Sequence, residues 1–351
     1  MKKLLFSISL ICLTLSLSAQ SIGNLKTTNK KWAFKTMKKA SKRIYINSFN
    51  VNFEVYKEAI DFKAGGNGGR IGGNNSSATA KAAVGLSGID GKLMQEKTNL
   101  LYKNYMKKLE DGGYEIITTE EVAKVDAIKD WDKTTGPNLI ENLTGIITCV
   151  PENYTFYHKK KGLLGLGWNI QPKLAKQLGN VIVADVNLYV IFSESGNDWM
   201  KGRAAKVKIK TNLRLAGEYA ITIPQKFKEK KSTLGKLFGS VKIKGASDVH
   251  RVNSNIAFYD QVQANYTGSL KEDLEINDIV KKQKIVAYQK QGSFVPTSFT
   301  TFSNYLDAKA DRYSTTTKWI EVDGDKYAQG FYNACNAFLE NQLDEILPKL
   351  K

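Results

Sequence analysis

Histidine, cysteine, proline and arginine are all scarce in this chain of 351 residues, which contains two, three, six and six of them respectively. A zinc site needs three or four closely spaced histidine or cysteine ligands, so the sequence predicts no metal. Six prolines exclude long proline-rich linkers. After residue 20 no apolar run approaches the length of a transmembrane helix, so none is predicted there.

Catalytic motifs are also missing. Neither His158 nor His250 lies beside a cysteine or in a nucleophile-elbow sequence, so a nucleophile would have no base to activate it. We therefore predict a non-enzymatic protein without a cofactor. The alternative is an enzyme of unfamiliar type that uses Asp130 and Asp132, the carboxylates flanking Trp131.

The charge of the chain is strongly positive, with 52 basic and 34 acidic residues and a net charge of +18. Nearly all of the basic residues are lysine, whereas proteins that read nucleic-acid sequence favour the forked guanidinium of arginine. We expect no nucleic-acid partner. The lysine excess indicates a solvated surface that tolerates anionic lipid or polysaccharide.

Residues 1–20 have the pattern of a secretory signal peptide. Lys2 and Lys3 precede an apolar stretch, and Ser18-Ala19-Gln20 provides a small-residue cleavage zone. The sequence thus predicts export to the periplasm or the outer membrane, with residues 21–351 forming one exported domain. An oxidising compartment permits a disulfide between Cys149 and Cys335, but their apolar surroundings favour two small buried side chains.

Apolar periodicity predicts an α/β (α+β) fold with a mixed β-sheet, flanking helices and a C-terminal helix. Strands are predicted over 43–56, with a bulge near Asn47-Ser48, and over 180–192 and 204–223, which form a hairpin. Helices are predicted over 93–111 and 324–346. We expect turn and loop over 129–145 and a single strand over 249–266.

Two inserts interrupt this pattern, one rich in glycine near 64–92 and one rich in lysine near 226–245. The first lacks the glycine spacing of a phosphate-binding loop, so it is predicted to be a loop, the alternative being a thin small-residue strand. The second carries Leu237 and Phe238 among lysines, as an amphipathic membrane-contacting segment would.

A third segment, 162–168, resembles an apolar loop tip and contains Leu164 and Trp168 beside a lysine triplet. This composition suits insertion at a membrane interface, although a loop folded back on the core is the favoured interpretation. Leu164, Trp168, Leu237 and Phe238 are nevertheless the candidate residues for membrane or partner contact.

The order of segments RIYINSFNV, LLYKNYMKKLEDGGYEIITTEEV, KQLGNVIVADVNLYVIF and AAKVKIKTNLRLAGEY resembles the CsgG-like family of exported assembly proteins. The same half-fold is similar to the amino-terminal domain of TolB and to related anticodon-binding-like domains. The resemblance implies a role in outer-membrane secretion or envelope assembly, and some family members form ring-shaped pores. This chain departs from the family pattern because it lacks a lipobox cysteine.

We therefore predict a non-enzymatic cell-envelope assembly or secretion-associated component that is oligomeric and associated with the outer membrane. Its expected partners are other envelope proteins or further copies of itself, together with an anionic membrane surface. The alternative is a soluble secreted or periplasmic binding protein for a polysaccharide or protein ligand, which would use exposed tryptophan and tyrosine side chains.

Overall fold

The computed structural model describes residues 21–63, 78–143, 145–158, 170–196, 204–223, 248–290 and 317–350. The predicted signal peptide, the basic insert and the contact residues Leu164, Trp168, Leu237 and Phe238 lie outside these ranges, as does the first half of the glycine-rich insert.

The described residues form a mixed α+β structure with five α-helices. The helices are α1 (Phe34–Met37), α2 (Gly91–Asp111), α3 (Thr119–Val122), α4 (Ile170–Gln177) and α5 (Gly324–Ile346). The strands up to the middle of the chain are β1 (Thr27–Trp32), β2 (Arg43–Glu54), β3 (Tyr56–Lys63), β4 (Ala78–Ser87), β5 (Glu115–Ile116), β6 (Asp132–Thr135), β7 (Asn138–Leu143), β8 (Ile146–Val150) and β9 (Thr155–His158). The remaining strands are β10 (Ile182–Gly196), β11 (Ala204–Leu215), β12 (Tyr219–Ile223), β13 (Asp248–Val252), β14 (Asn255–Tyr259), β15 (Asn265–Leu270), β16 (Leu274–Glu275), β17 (Gln283–Lys290) and β18 (Thr317–Glu321).

The main sheet is mixed, as predicted. Its strand order is β1-β15-β14-β10-β2-β8-β7, and β11 branches from β10 to pair with β16 and β17. The central strands β2 and β10 are parallel, and so are β2 and β5, whereas the other neighbours are antiparallel. Separate small sheets are formed by β18-β4-β3, β12-β13 and β6-β9.

The predicted bulge in β2 is confirmed. The β2–β10 register shifts at Asn47, between the pairs Ile46–Ala184 and Ser48–Asp185. The extra residue keeps the alternating apolar side chains on the core side before and after it. All of these side chains are buried in the main core: Ile44, Ile46, Phe49, Val51, Phe53 and Val55.

Helices α2 and α5 cover this apolar face of the sheet, and both were predicted. Each begins at an aspartate whose carboxylate accepts the first free amide hydrogens, Asp90 for α2 and Asp323 for α5. The two helices pack against each other, with a Lys108–Asp344 ion pair of 2.7 Å between them. The predicted C-terminal helix has the same bounds in the structure, residues 324–346.

Three local predictions were wrong, and the pairing and turns of the strands concerned explain the differences. Residues 78–87 form β4 rather than a loop, because β3 and β18 pair with β4 on its two sides. Residues 132–135 and 138–143 form β6 and β7 rather than turn and loop. The predicted strand over 249–266 is broken by turns into β13, β14 and the start of β15.

Candidate binding face

The second face of the main sheet carries a row of polar side chains that the strand register lines up. Asn50, Asn187, Asn255, Ser269 and Thr28 come from β2, β10, β14, β15 and β1, and each is the direct partner of the next. We call these five residues the polar band. It crosses four strand spacings, about 19 Å at roughly 4.8 Å each.

The polar band arises from strict alternation along each strand. In β10, Val186 and Leu188 are buried in the main core beneath the helices, so Asp185 and Asn187 point to the other face. In β15, Tyr266 is likewise buried in the core, which places Thr267 and Ser269 on the band side. Four members of the polar band are half-buried, and Thr28 is exposed.

Apolar clusters bound the polar band at both ends of the strands. Along the same face of β10, Val183 precedes Asp185 and Asn187, and Ile191 follows them. Val183 belongs to a cluster formed mainly by α4 and the α3 region, here called the α4 cluster: Tyr45, Ile117, Val122, Ile128, Ile170, Leu174, Ala175, Leu178, Val181 and Val183. Ile191 belongs to the hairpin cluster: Ile146, Ile191, Ala216 and Tyr219, with Tyr189 and Val252 against it. The polar band therefore lies on a stretch of the sheet face that has an apolar cluster at each end. We call this stretch the groove, its sheet side chains the floor and the two clusters its walls.

Asp185 lies in the next row of the groove floor, where the β2 bulge surrounds its carboxylate with donors. Its Oδ1 accepts hydrogen bonds of 2.8 Å from both Asn47 and Ser48, and its Oδ2 accepts one of 2.8 Å from Gln171 of α4. Burial raises the pKa of Asp185, whereas these three donors act in the opposite direction. Asp185 consequently joins the sheet to α4.

Several polar groups of the groove retain hydrogen-bonding capacity. Asn50 donates to the side-chain oxygen of Asn187 at 3.1 Å, which leaves the other amide groups of this pair free of side-chain bonds within the described residues. The half-buried hydroxyls of Ser269 and Thr267 can each act as a donor or as an acceptor. The floor thus offers both donors and acceptors.

Aromatic side chains lie on the same face in a row nearer the α4 cluster, four residues along each strand from the polar band, or roughly 13 Å. Trp32, Asn265 and Tyr259 are consecutive partners on β1, β15 and β14, so the two rings lie on one face with an asparagine between them. Trp32 is 59% exposed and is the most exposed large apolar side chain in the described residues. Tyr259 is half-buried, and burial raises its pKa to about 12.

A buried polar cluster fixes the opposite wall. The Glu54 carboxylate accepts hydrogen bonds from the backbone N–H groups of Phe192, at 3.1 Å, and Ser193, at 2.8 Å, and from the Ser193 and Tyr219 hydroxyls. Lys57 donates to the Tyr219 hydroxyl at 2.9 Å, and burial lowers the pKa of Lys57. Because Tyr219 begins β12, this cluster holds the β12–β13 hairpin on the sheet.

The residues of the alternative catalytic site are not gathered into a buried centre. Asp130 is exposed, and Asp132 lies half-buried in β6 opposite His158 of β9. The ring nitrogen Nε2 of His158 is hydrogen-bonded to the Thr134 hydroxyl at 2.9 Å.

Cys149 and Cys335 are both buried and free, so the structure has no disulfide between them. Burial raises the pKa of Cys149 to about 11 and also raises the pKa of Cys335. Within the described ranges, no group of three histidine, cysteine, aspartate or glutamate side chains could hold a metal ion. No helix among the described residues is long and apolar enough to cross a membrane.

Comparison with protein-family models, curated proteins and solved structures finds no match for this chain. The binding face is therefore interpreted from its own geometry. Sequence reasoning missed it, although a signal was present: polar residues at every second position in NSFNVN of β2 and in NYTGS of β15. Only the register brings these short patterns into one row.

Proposed function

We propose that the protein is an exported, non-enzymatic binding component of the cell envelope and that the groove holds its ligand. The observation that carries this proposal is the polar band, a row of amides and hydroxyls across five strands between two apolar walls. Side chains that keep free donors and acceptors on a rigid sheet are suited to binding a polar ligand without rearrangement.

The non-enzymatic part of the proposal is supported by how the buried ionisable groups are used. Glu54 already accepts four hydrogen bonds, and Asp185 accepts three. The raised pKa of Cys149 disfavours the nucleophilic thiolate. A general base or nucleophile needs a free lone pair directed towards substrate, and these groups direct theirs to the protein.

Envelope assembly is the second candidate, and the two ends of the main sheet favour it. Within the described residues, β1 and β7 each pair on one side only, and the two edges differ in character. β1 presents exposed Lys30 and Lys31, whereas β7 presents Leu139, which is 42% exposed. Unlike edges suit a head-to-tail contact between copies, the arrangement that generates rings.

A CsgG-like core belongs to this second proposal. The order β2, α2, β5, α3, β10 and β11 follows the order of the segments that carry the resemblance. β2 and β10 are also parallel neighbours, as a strand–helix–strand unit requires. Outer-membrane association and contact with an anionic lipid surface remain predictions of the same proposal.

Fractionation of the native cells tests both candidates. We expect the mature chain to begin near Ser21 and to be found in the envelope or periplasmic fraction. Release by osmotic shock as a monomer would support the soluble binding protein, whereas a detergent requirement and a large ring-sized mass would support assembly. A cytoplasmic chain that retains residues 1–20 would contradict export and both proposals with it.

A further inference from the structure

We infer that the ligand of the groove is an extended neutral polysaccharide, with sugar rings stacked on Trp32 and Tyr259 and sugar hydroxyls bonded to Asn265, between the rings, and to Thr267 in the adjacent row. This inference rests on the proposed binding function and specifies its ligand class. Three features of the groove carry it: the chemistry of the floor, the spacing of the two aromatic rings and the open end at β1.

The floor is complementary to hydroxyl groups. Asparagine amides offer a donor and an acceptor on one plane, and serine and threonine hydroxyls can act as either. Adjacent sugar hydroxyls present the same alternation of donors and acceptors. Two charged side chains lie in the floor rows: Lys30 at one end, and Asp185, whose carboxylate already accepts hydrogen bonds from three side chains. One lysine and one carboxylate do not form a positively charged site for an anionic ligand.

The two aromatic side chains are spaced for a polymer of sugars. Trp32 and Tyr259 are separated by two strand spacings, or roughly 10 Å. Alternate rings of an extended β-1,4-linked glycan are separated by a similar distance and present the same apolar C–H face. An indole that is 59% exposed gains a partner for its ring surface when such a face stacks on it.

The shape of the groove favours a chain over a small molecule. β1 is the edge of the sheet, so the aromatic row that ends at Trp32 continues into solvent. Two or three linked sugars can cover the roughly 10 Å between the two rings, and the rest of the polymer can leave past β1. A compact metabolite would contact only part of the floor.

An anionic surface is the rival ligand, because exposed Lys30, Lys35, Lys38 and Lys39 lie close to Trp32 in the chain. The two ligands differ in their response to salt. Attraction between exposed charges is screened at high ionic strength, whereas stacking and hydroxyl hydrogen bonds change little. Salt dependence therefore separates a neutral glycan from an anionic polymer or lipid.

The test measures binding of the full mature chain to soluble β-glucan, xylan and mannan. Binding is monitored by tryptophan fluorescence and by affinity electrophoresis, each at low and at high salt. Vesicles with anionic lipid serve as the rival probe. We expect salt-insensitive binding to at least one neutral glycan. Trp32→Ala and Tyr259→Ala should each weaken it by roughly 3- to 10-fold, as loss of one aromatic contact does, and Trp32→Tyr should restore most of the loss.

Leu100→Ala and Val286→Ala are matched controls, since both remove exposed apolar side chains away from the groove, on α2 and β17. Their glycan affinity should equal that of the wild type. Circular dichroism and the urea midpoint of each variant show whether it is folded, and Thr267→Ala provides a floor variant independent of the rings.

Binding to none of the neutral glycans would overturn the inference, and so would equal affinity of the wild type and the folded Trp32→Ala and Thr267→Ala variants. Salt-sensitive binding to anionic vesicles alone would overturn it in favour of the rival ligand. If the chain is in the envelope fraction yet binds no glycan, the ligand class is wrong while the proposed function stands.

Discussion

Asp185 is a buried carboxylate among neutral side chains, and its pKa makes the stability of the protein depend on pH. Burial raises this pKa above the ordinary value of 3.8, so the folded state binds the proton more tightly than the unfolded chain. The stabilisation is complete below about pH 4 and is lost as the pH rises through the raised pKa. We therefore expect the wild type to lose free energy of unfolding, relative to Asp185→Asn, as the pH rises from about 4 through the raised pKa.

Urea unfolding of both proteins across this pH range measures the difference. The asparagine keeps one oxygen for Asn47 and Ser48, and Gln171 can rotate its amide to present an oxygen to the new NH₂ group. Asp130→Asn, at an exposed position, is the control and should leave the pH dependence unchanged. Parallel curves for the wild type and Asp185→Asn would contradict the expected titration.

At the scale of elements, the contact between β4 and β18 depends on glycine at position 85, which has no side chain. A Cβ at Gly85 would overlap the ring of Trp319, which lies on the neighbouring parallel strand. Because an indole ring cannot bend away, we expect Gly85→Ala to destabilise the protein by about 1–3 kcal/mol, the usual cost of overpacking. Thermal or urea unfolding gives the value.

Trp319→Ala provides the matched background for this prediction. If steric overlap is the cause, Gly85→Ala should cost much less when the indole is absent, and a double-mutant cycle measures the coupling. An equal cost in both backgrounds would assign the effect to the backbone of β4 instead.

Elements with a complete local pattern were predictable, and elements defined by their partners were not. The helix 324–346 has its own cap and apolar stripe, and β2 has its own alternation and bulge. By contrast, β4 consists largely of alanine and glycine, and β7 is a partly polar edge strand, so only β3, β18 and β8 determine that they are extended. The polar band was hidden for the same reason, since its residues become one site only through the register of five strands.

At the scale of the whole molecule, the two unlike sheet edges determine whether copies can join. Lysine on an edge strand discourages pairing with an identical edge, so β1 is poorly suited to contact a second β1. The β7 edge lacks this protection at Leu139, which is 42% exposed. If envelope assembly is the function, β7 of one copy is expected to contact β1 of the next.

Leu139→Lys tests this arrangement because it places a charge on the exposed β7 edge, and circular dichroism shows whether the variant is folded. We expect the variant to shift the mass of the native assembly towards the monomer, measured by light scattering or sedimentation in the detergent used for extraction. Leu100→Lys introduces the same change on the exposed surface of α2 and should leave the mass unaltered. An assembly of unchanged mass in Leu139→Lys would exclude the β7 edge as the contact. A monomeric wild type would favour the binding protein over the assembly component, because a single sheet with a polar groove can hold its ligand without further copies.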